Sequence, residues 1–150
     1  MGFYHLMQNL PSERLSIGIG AIAGARAVFE ETLQYAKDRK AFGQPIGAFQ
    51  ANRFYLAEMS TELDIAEQYI DRCLRAVLDG DLTAVDAAKN KWWCTELAKK
   101  VIDRCVQLHG GYGYMNEYKV SRAYTDSRIQ TIFGGTTEIM KDLIGRDMGL

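Results

Sequence analysis

The sequence predicts an all-α protein, built as an up-and-down four-helix bundle with short extra helices. Three observations support this class. Only two prolines, Pro11 and Pro45, interrupt the 150 residues. Apolar residues recur at helical spacing over long stretches, and no stretch alternates as a half-buried strand does. Helices of this kind, joined by brief turns, bury their apolar stripes against one another.

The first predicted helix starts after Pro11, with Ser12 as its N-cap, and runs to about Lys40. Its apolar stripe consists of Leu15, Ile19, Ile22, Val28, Leu33 and Ala36. Three glycines interrupt it at Gly18, Gly20 and Gly24. Each costs up to about 1 kcal/mol relative to alanine, so the three together predict close approach by another helix or a bound ligand.

The remaining elements are predicted from breakers and caps. Gly43, Pro45 and Gly47 indicate a loop over residues 39–47. The helices that follow are Phe49 to Asp79 with Gly80 as its stop, Ala84 to about Leu108 with Thr83 as its cap, a short helix near Lys119–Arg128, and a last helix from the Thr136 cap to about Arg146.

Composition excludes several function classes. Eighteen basic against nineteen acidic residues leave a net charge of −1, so the chain has no broad basic field for nucleic acid or an anionic membrane. No apolar run reaches the roughly 18–20 residues that span a bilayer. We expect a reducing compartment, the bacterial cytoplasm or the mitochondrial matrix.

The cysteines and histidines do not form a metal-binding pattern. Cys73, Cys94 and Cys105 are widely spaced within helical stretches, so we expect them to be packing residues. The two histidines, His5 and His109, lack the Glu-x-x-His pairs of di-iron bundles. We therefore expect no metal.

Four segments are not explained by packing alone: residues 11–14, 39–50, 107–113 and 133–139. In order and spacing they resemble the C-terminal domain of acyl-CoA dehydrogenases, and the resemblance extends from Gly2 to Met148. The sequences Leu-Pro-Ser-Glu-Arg-Leu at 10–15, Leu-His-Gly-Gly-Tyr-Gly-Tyr-Met at 108–115 and Gly-Gly-Thr-Thr-Glu-Ile-Met-Lys at 134–141 are most similar to the long-chain members.

The resemblance implies an FAD-dependent oxidation of an acyl-CoA thioester to the trans-2-enoyl thioester, with a glutamate removing the α-proton. It implies an electron-transfer flavoprotein as electron acceptor and a homo-oligomer, either a dimer or a tetramer. Residues 1–150 correspond to the helical bundle alone, without the family's N-terminal helical and middle β-barrel domains. We therefore expect little activity and weak FAD binding from the isolated chain.

The catalytic base is expected at Glu13. Many members of the family carry it immediately before the Gly-Thr of the last motif, but Gly134 stands there in this sequence. The long-chain and isovaleryl branches are similar to this sequence in having a glutamate at the start of the first bundle helix. The alternative is that Glu13 merely interacts favourably with the helix dipole.

Substrate contacts are implied for Arg14, Gly134 and Gly135. The glycines resemble the turn over which the thioester lies, where a backbone N–H can stabilise the developing enolate. A surface ion pair for Arg14 and a flexible helix entry at the glycines remain alternatives.

FAD contacts are implied at two groups of residues. Those toward the flavin of a neighbouring subunit are Arg39, Phe42, Gln50, Gln107, Gly110 and Gly111. Those toward the flavin of the same subunit are Thr136 and Glu138. A guanidinium such as that of Arg39 suits pyrophosphate, because its planar fork of donors matches phosphate oxygens.

Two other functions remain open. An isovaleryl-CoA-type dehydrogenase would have the same base position. A non-catalytic oligomerisation subunit would keep the bundle but would have no need of Glu13.

Overall fold

The protein is a bundle of five α-helices. The computed structural model describes the backbone of residues 2–150 and the side chains of residue 5 and residues 7–150. The helices are α1 (Gly2–Asp38), α2 (Gln50–Asp79), α3 (Ala84–His109), α4 (Lys119–Ser127) and α5 (Thr137–Asp147). Single 3₁₀ turns cover Ile46–Ala48, Gly110–Tyr114 and Arg128–Thr131.

The core lies where α1, α2 and α3 meet. Helix α3 is central, because α1, α2, α4 and α5 all pack against it, and α1 does so most extensively. Helices α1, α2 and α3 supply most of this core, including Ile22 and Val28 of the predicted α1 stripe together with Leu63, Ala66, Val101 and Cys105. Leu74 and Val77, toward the end of α2, lie outside it and are 40% and 43% exposed.

The predicted helix ends after residue 49 are confirmed. The Thr83 hydroxyl accepts from the backbone N–H of Asp86, and the Thr136 hydroxyl accepts from that of Ile139, so both threonines are N-caps. Gly80 ends α2 in a left-handed conformation with φ of 78°, which a residue with a Cβ adopts less readily.

The predicted start of the first helix is wrong. Helix α1 begins at Gly2 and continues through Pro11, so Ser12 is not its N-cap. A proline removes one backbone donor and crowds the preceding turn, which is why it predicts a boundary. Because Glu13 lies about three turns inside the helix, the helix dipole does not account for it.

The loop over residues 39–47 contains a two-stranded hairpin that the sequence did not indicate. Strands β1 (Lys40–Ala41) and β2 (Gln44–Pro45) pair antiparallel, with Lys40 opposite Pro45 and Ala41 opposite Gln44. Phe42 and Gly43 form the turn with φ of 50° and 82°. Positive φ at both central residues is the geometry that matches the twist of a tight hairpin.

Of Gly18, Gly20 and Gly24, the glycines for which close approach was predicted, only Gly18 has a close neighbour in the described part of the chain. A Cβ at Gly18 would overlap the side-chain amide of Asn90 on α3, whereas nothing lies within 4 Å of a Cβ at Gly20 or Gly24.

The cysteines are packing residues, as predicted. Cys73, Cys94 and Cys105 are all buried and free. Burial raises the pKa of the Cys94 thiol to about 12 and that of Cys105 to about 11, so both remain protonated at neutral pH. Among the described residues, no helix is long and apolar enough to cross a bilayer.

Candidate functional site

The glycine pair before α5 forms a turn that other residues would adopt less readily. Gly134 and Gly135 have φ of 67° and 111°. A Cβ on Gly134 would lie 2.5 Å from Cδ1 of Ile17, and one on Gly135 would lie 2.6 Å from Cε of Met140. The backbone conformation therefore favours glycine at both positions, and a side chain there would also displace the ends of Ile17 and Met140.

Two cationic side chains donate to consecutive carbonyls of this turn. Arg14 Nε donates to the Gly134 oxygen at 3.1 Å, and Lys91 Nζ donates to the Gly135 oxygen at 2.6 Å. Arg14 is 9% exposed and Lys91 is 0% exposed. The surface ion pair considered for Arg14 is therefore not its arrangement in this structure.

The electrostatics of the turn are dominated by burial of these two cations. Burial lowers the pKa of Lys91, and the nearby Arg14 guanidinium lowers it further, while Glu96 and Glu138 oppose the shift. Burial also lowers the pKa of Arg14, against the opposing effect of Glu13. Two basic groups therefore lie on the carbonyl side of the glycine turn, where burial opposes their charge.

Glu13 lies beside the helix face that meets the turn. Arg14, its neighbour in sequence, donates to the Gly134 carbonyl. Cδ1 of Ile17, one helical turn later, lies beside Gly134, 2.5 Å from the position where a Cβ would lie. Residues four apart share a helix face, so Glu13 adjoins these contacts. Its side chain is exposed in this domain.

The N-terminus of α5 continues the same site. Glu138 is an exposed residue in its first turn, and its pKa is lowered by hydrogen bonds from its own backbone N–H and from Thr136. Thr137 donates to Glu96 Oε1 of α3 at 2.8 Å. The turn, the cap and α3 thus form one connected unit.

A second group of predicted residues meets at the opposite end of the bundle. Arg39, Gln107, Gly110 and Gly111 line an open cleft of about 590 Å³, together with the aromatic rings of Tyr35, His109 and Tyr112. The structure therefore brings together four of the six residues expected to reach a neighbouring flavin.

The cleft has the donors and the space that a dinucleotide requires. The Arg39 guanidinium lies 5.5 Å from the centroid of the Tyr112 ring and forms no ion pair within the described part of the chain. Nothing lies within 4 Å of a Cβ built on Gly110 or Gly111, so the backbone is open to close approach. These features fit a cofactor with phosphate groups and an aromatic base.

One wall of the cleft is a stacked aromatic pair, of which His109 is buried and Tyr35 is half-buried. The rings of Tyr35 and His109 stack with centroids 4.2 Å apart. His109 Nδ1–H donates to the Cys105 carbonyl at 2.8 Å, which fixes the orientation of the imidazole. Tyr35 and Tyr112 were not predicted to line the cleft, because their approach to Arg39 depends on the ends of α1 and α3 lying side by side.

Phe42 and Gln50 lie outside the cleft lining. Phe42 is at the tip of the hairpin, 97% exposed, with its ring edge-on to that of Phe49 at 6.3 Å between centroids. Gln50 is exposed at the first residue of α2. Neither side chain is held by the cleft of its own chain.

Lys91 and Asn90 are the other residues that sequence reasoning missed. Lysine and asparagine are usually found at protein surfaces. Here both side chains are 0% exposed. A signal existed in the pattern, because Lys91 follows Ala88 by three residues and precedes Thr95 by four, on the buried stripe of α3.

The fold is that of a known family. The family described as acyl-CoA dehydrogenase, C-terminal domain, matches residues 1–149. The chain belongs to this family, and the predicted all-α bundle is confirmed.

Relatives and solved structures agree over nearly the whole chain. The mitochondrial long-chain specific acyl-CoA dehydrogenase of Sus scrofa is 46% identical over 147 residues, covering 98% of this chain and 34% of the relative. Subunit CarC of the caffeyl-CoA reductase-Etf complex of Acetobacterium woodii is 35% identical over 143 residues, covering 95% and 38%. The crystal structure of an acyl-CoA dehydrogenase from Geobacillus kaustophilus superposes with a TM-score of 0.97 at 42% identity, covering 99% of this chain and 39% of that one. The chain thus spans between 34% and 38% of the length of these two curated relatives.

Proposed function

We propose that this chain is the bundle domain of an FAD-dependent acyl-CoA dehydrogenase that converts long-chain acyl-CoA to trans-2-enoyl-CoA. The observation that carries the proposal is the glycine turn backed by Arg14 and Lys91, with Glu13 beside it. The identity to a relative named for long-chain substrates supports the acyl-chain length.

Glu13 is the base in this proposal. Its carboxylate takes the α-proton of a thioester lying over the turn at Gly134, and the electron pair of the broken C–H bond moves into the enolate. A base is effective when it reaches the proton, whatever its place in the chain. Gly134 has no side chain that would compete with the thioester. Cδ1 of Ile17 lies 2.5 Å from the position that a Cβ on Gly134 would take.

The turn stabilises the enolate that forms. Its backbone N–H groups donate to the thioester oxygen, and the positive charge of Arg14 and Lys91 lies behind them. Fixed donors and charges need little rearrangement as the negative charge develops, which is how preorganised sites lower a barrier.

Bound FAD would supply the acceptor for the β-hydrogen, which would leave as hydride. Arg39, Gln107, Gly110 and Gly111 would hold its phosphates and adenosine, while Thr136 and Glu138 would contact a flavin at the other end of the bundle. We further propose that Phe42 and Gln50 reach the same neighbouring flavin as Arg39, since both side chains are exposed and lie outside the cleft of their own chain.

The proposal requires more than one copy of the chain. Glu13 and Asp38 are 25 residues apart in α1, or about 38 Å at 1.5 Å per residue. The ends of the helix therefore serve different flavins, in a homo-oligomer that is a dimer or a tetramer. An electron-transfer flavoprotein is the proposed acceptor, in keeping with a relative named as part of an Etf complex.

The test is turnover by the flavin-loaded enzyme that carries this domain. With an artificial electron acceptor, palmitoyl-CoA should give trans-2-hexadecenoyl-CoA, and kcat/KM should exceed that for isovaleryl-CoA by at least about tenfold. Preference for isovaleryl-CoA would reassign the substrate to the branched class. Absence of turnover with both would contradict the proposed function.

A further inference from the structure

Two adjacent residues of α3 each contact a different part of the proposed active site. Asn90 packs its side-chain amide against Gly18 of α1, the helix that carries Glu13. Lys91 donates to the Gly135 carbonyl at 2.6 Å. One dipeptide of α3 therefore contacts both the base-bearing helix and the glycine turn.

Packing alone does not require the charge of Lys91. An ammonium loses hydration when it is fully buried, and a neutral carbonyl returns only part of that energy. The charged groups around it are Arg14 on α1, Glu96 on α3 and Glu138 on α5. The nearby Arg14 guanidinium makes a positive charge on Lys91 still more costly. A methionine at position 91 would fill a similar volume without a charge.

The geometry of the turn shows what the two cations do together. In a trans peptide the N–H points away from its own carbonyl. The carbonyls of Gly134 and Gly135 are turned toward Arg14 and Lys91, so the N–H groups of the same peptide units, those of Gly135 and Thr136, face the other way. A cation bonded to a carbonyl also polarises the N–H of that peptide.

We propose that Lys91 is a positioning residue, whose buried ammonium acts with Arg14 to orient and polarise the glycine turn for stabilising the thioester enolate. This inference rests on the proposed function and adds to it a residue that touches neither substrate nor base. Lys91 acts through the turn, by fixing it before substrate binds.

The test compares Lys91→Met with Lys89→Met in the flavin-loaded enzyme. Lys89 is an exposed lysine two residues earlier on α3 and serves as the matched control. With palmitoyl-CoA, Lys91→Met should lower kcat by at least about tenfold and change KM by less than about threefold. Lys89→Met should match the wild type in both constants.

A second measurement detects formation of the enolate separately from the transfer of the β-hydrogen. A 3-thia analogue of palmitoyl-CoA can lose its α-proton but cannot be dehydrogenated, and its enolate is detected as a long-wavelength absorption band beside the oxidised flavin. In Lys91→Met the pH midpoint of this band should rise by about one unit, because the enolate loses positive charge behind it. If Lys91→Met does not fold, Lys91→Gln, which also removes the charge, should show the same rise.

The outcomes separate the two proposals. A wild type without turnover and without the enolate band contradicts the proposed function. A wild type with both, together with a folded Lys91 variant whose kcat and pH midpoint are unchanged, overturns only the role of Lys91. A parallel loss of flavin and thermal stability, with the enolate midpoint unmoved, assigns Lys91 to structure alone and also overturns the inference.

Discussion

Gly18 and Gly20 are two residues apart on α1 and face different surroundings. A Cβ at Gly18 would overlap the buried amide of Asn90, whose Nδ2 and Oδ1 have no partner in the described part of the chain. Nothing lies within 4 Å of a Cβ at Gly20. The two positions therefore separate the effect of packing from that of helix propensity.

We predict opposite effects of alanine at these sites. Gly18→Ala should lower the free energy of unfolding by about 1–3 kcal/mol, because the added methyl cannot be accommodated beside a buried neighbour. Gly20→Ala, the control, should raise it by about 0.5–1 kcal/mol through better helix propensity. Urea unfolding measures both. Equal effects would show that Asn90 does not fix the approach of α3.

At the residue scale the sequence indicated some of the residues that lie together, but not the hydrogen bonds between distant residues. Arg39, Gln107, Gly110 and Gly111 were predicted to share a site, and they line one cleft. The bond from Lys91 to Gly135 joins residues 44 apart in sequence. No local pattern indicates such a bond, because it depends on the packing of α3 against the turn before α5.

The Thr83–Asp86 cap shows how an element end is fixed by local chemistry. Thr83 Oγ1 accepts from the Asp86 N–H at 3.0 Å and donates to Asp86 Oδ2 at 2.6 Å. Arg72 of α2 donates to the same carboxylate at 3.1 Å. The Thr83 hydrogen bond is the main cause of the lowered pKa of Asp86.

This lowered pKa predicts pH-dependent stability. A carboxyl with a folded pKa below its ordinary value of 3.8 stabilises the fold fully above that value, and the stabilisation is lost as pH falls through the lower folded pKa. Asp86→Asn should therefore reduce the free energy of unfolding by about 1–2 kcal/mol at pH 7.

The difference between Asp86→Asn and wild type should shrink as pH falls below 3.8. Asp81→Asn, at an exposed position just before the cap, is the control and should stay within about 0.5 kcal/mol of wild type. Chemical denaturation between pH 3 and pH 7 measures both. A difference for Asp86→Asn that does not vary with pH would exclude the carboxylate as its source.

At the element scale, local caps made α2, α3 and α5 predictable, whereas α1 and the hairpin were not. Pro11 indicated a boundary because it cannot donate a backbone hydrogen bond, yet the helix continues on both sides of it. Strands β1 and β2 have two residues each, too short for any alternation to be visible.

At the scale of the whole molecule, α1 connects two sites that lie too far apart to serve one cofactor. Glu13 adjoins the glycine turn, and Arg39 follows directly after the far end of the helix. In the proposed oligomer each flavin therefore lies between two copies of the chain. One copy contributes the part of α1 that carries Glu13, and the other contributes Arg39 after the far end of α1.

Mixing two defective variants, at an FAD concentration that loads the wild type but not Arg39→Met, tests this arrangement. Glu13→Gln should lack the base, and Arg39→Met should bind FAD at least about tenfold more weakly, since a charge-assisted contact to phosphate is lost. When the two are unfolded and reassembled together, a mixed dimer has one site with both defects and one site with neither.

Activity should therefore return on mixing. Lys40→Met, which changes an exposed neighbour of Arg39, is the control and should bind FAD as the wild type does. Mixed assemblies that contain both variants and remain inactive would show that Glu13 and Arg39 serve the same flavin.

The central claim is that Glu13 removes the α-proton, and single-turnover reduction of the flavin by palmitoyl-CoA tests it most directly. Glu13→Gln should slow this step by at least about 10²-fold, with acyl-CoA affinity changed by less than about threefold. Glu30→Gln, at an exposed position on the same helix, should reduce flavin at the wild-type rate. A Glu13→Gln enzyme that reduces flavin within about threefold of the wild-type rate would contradict the account.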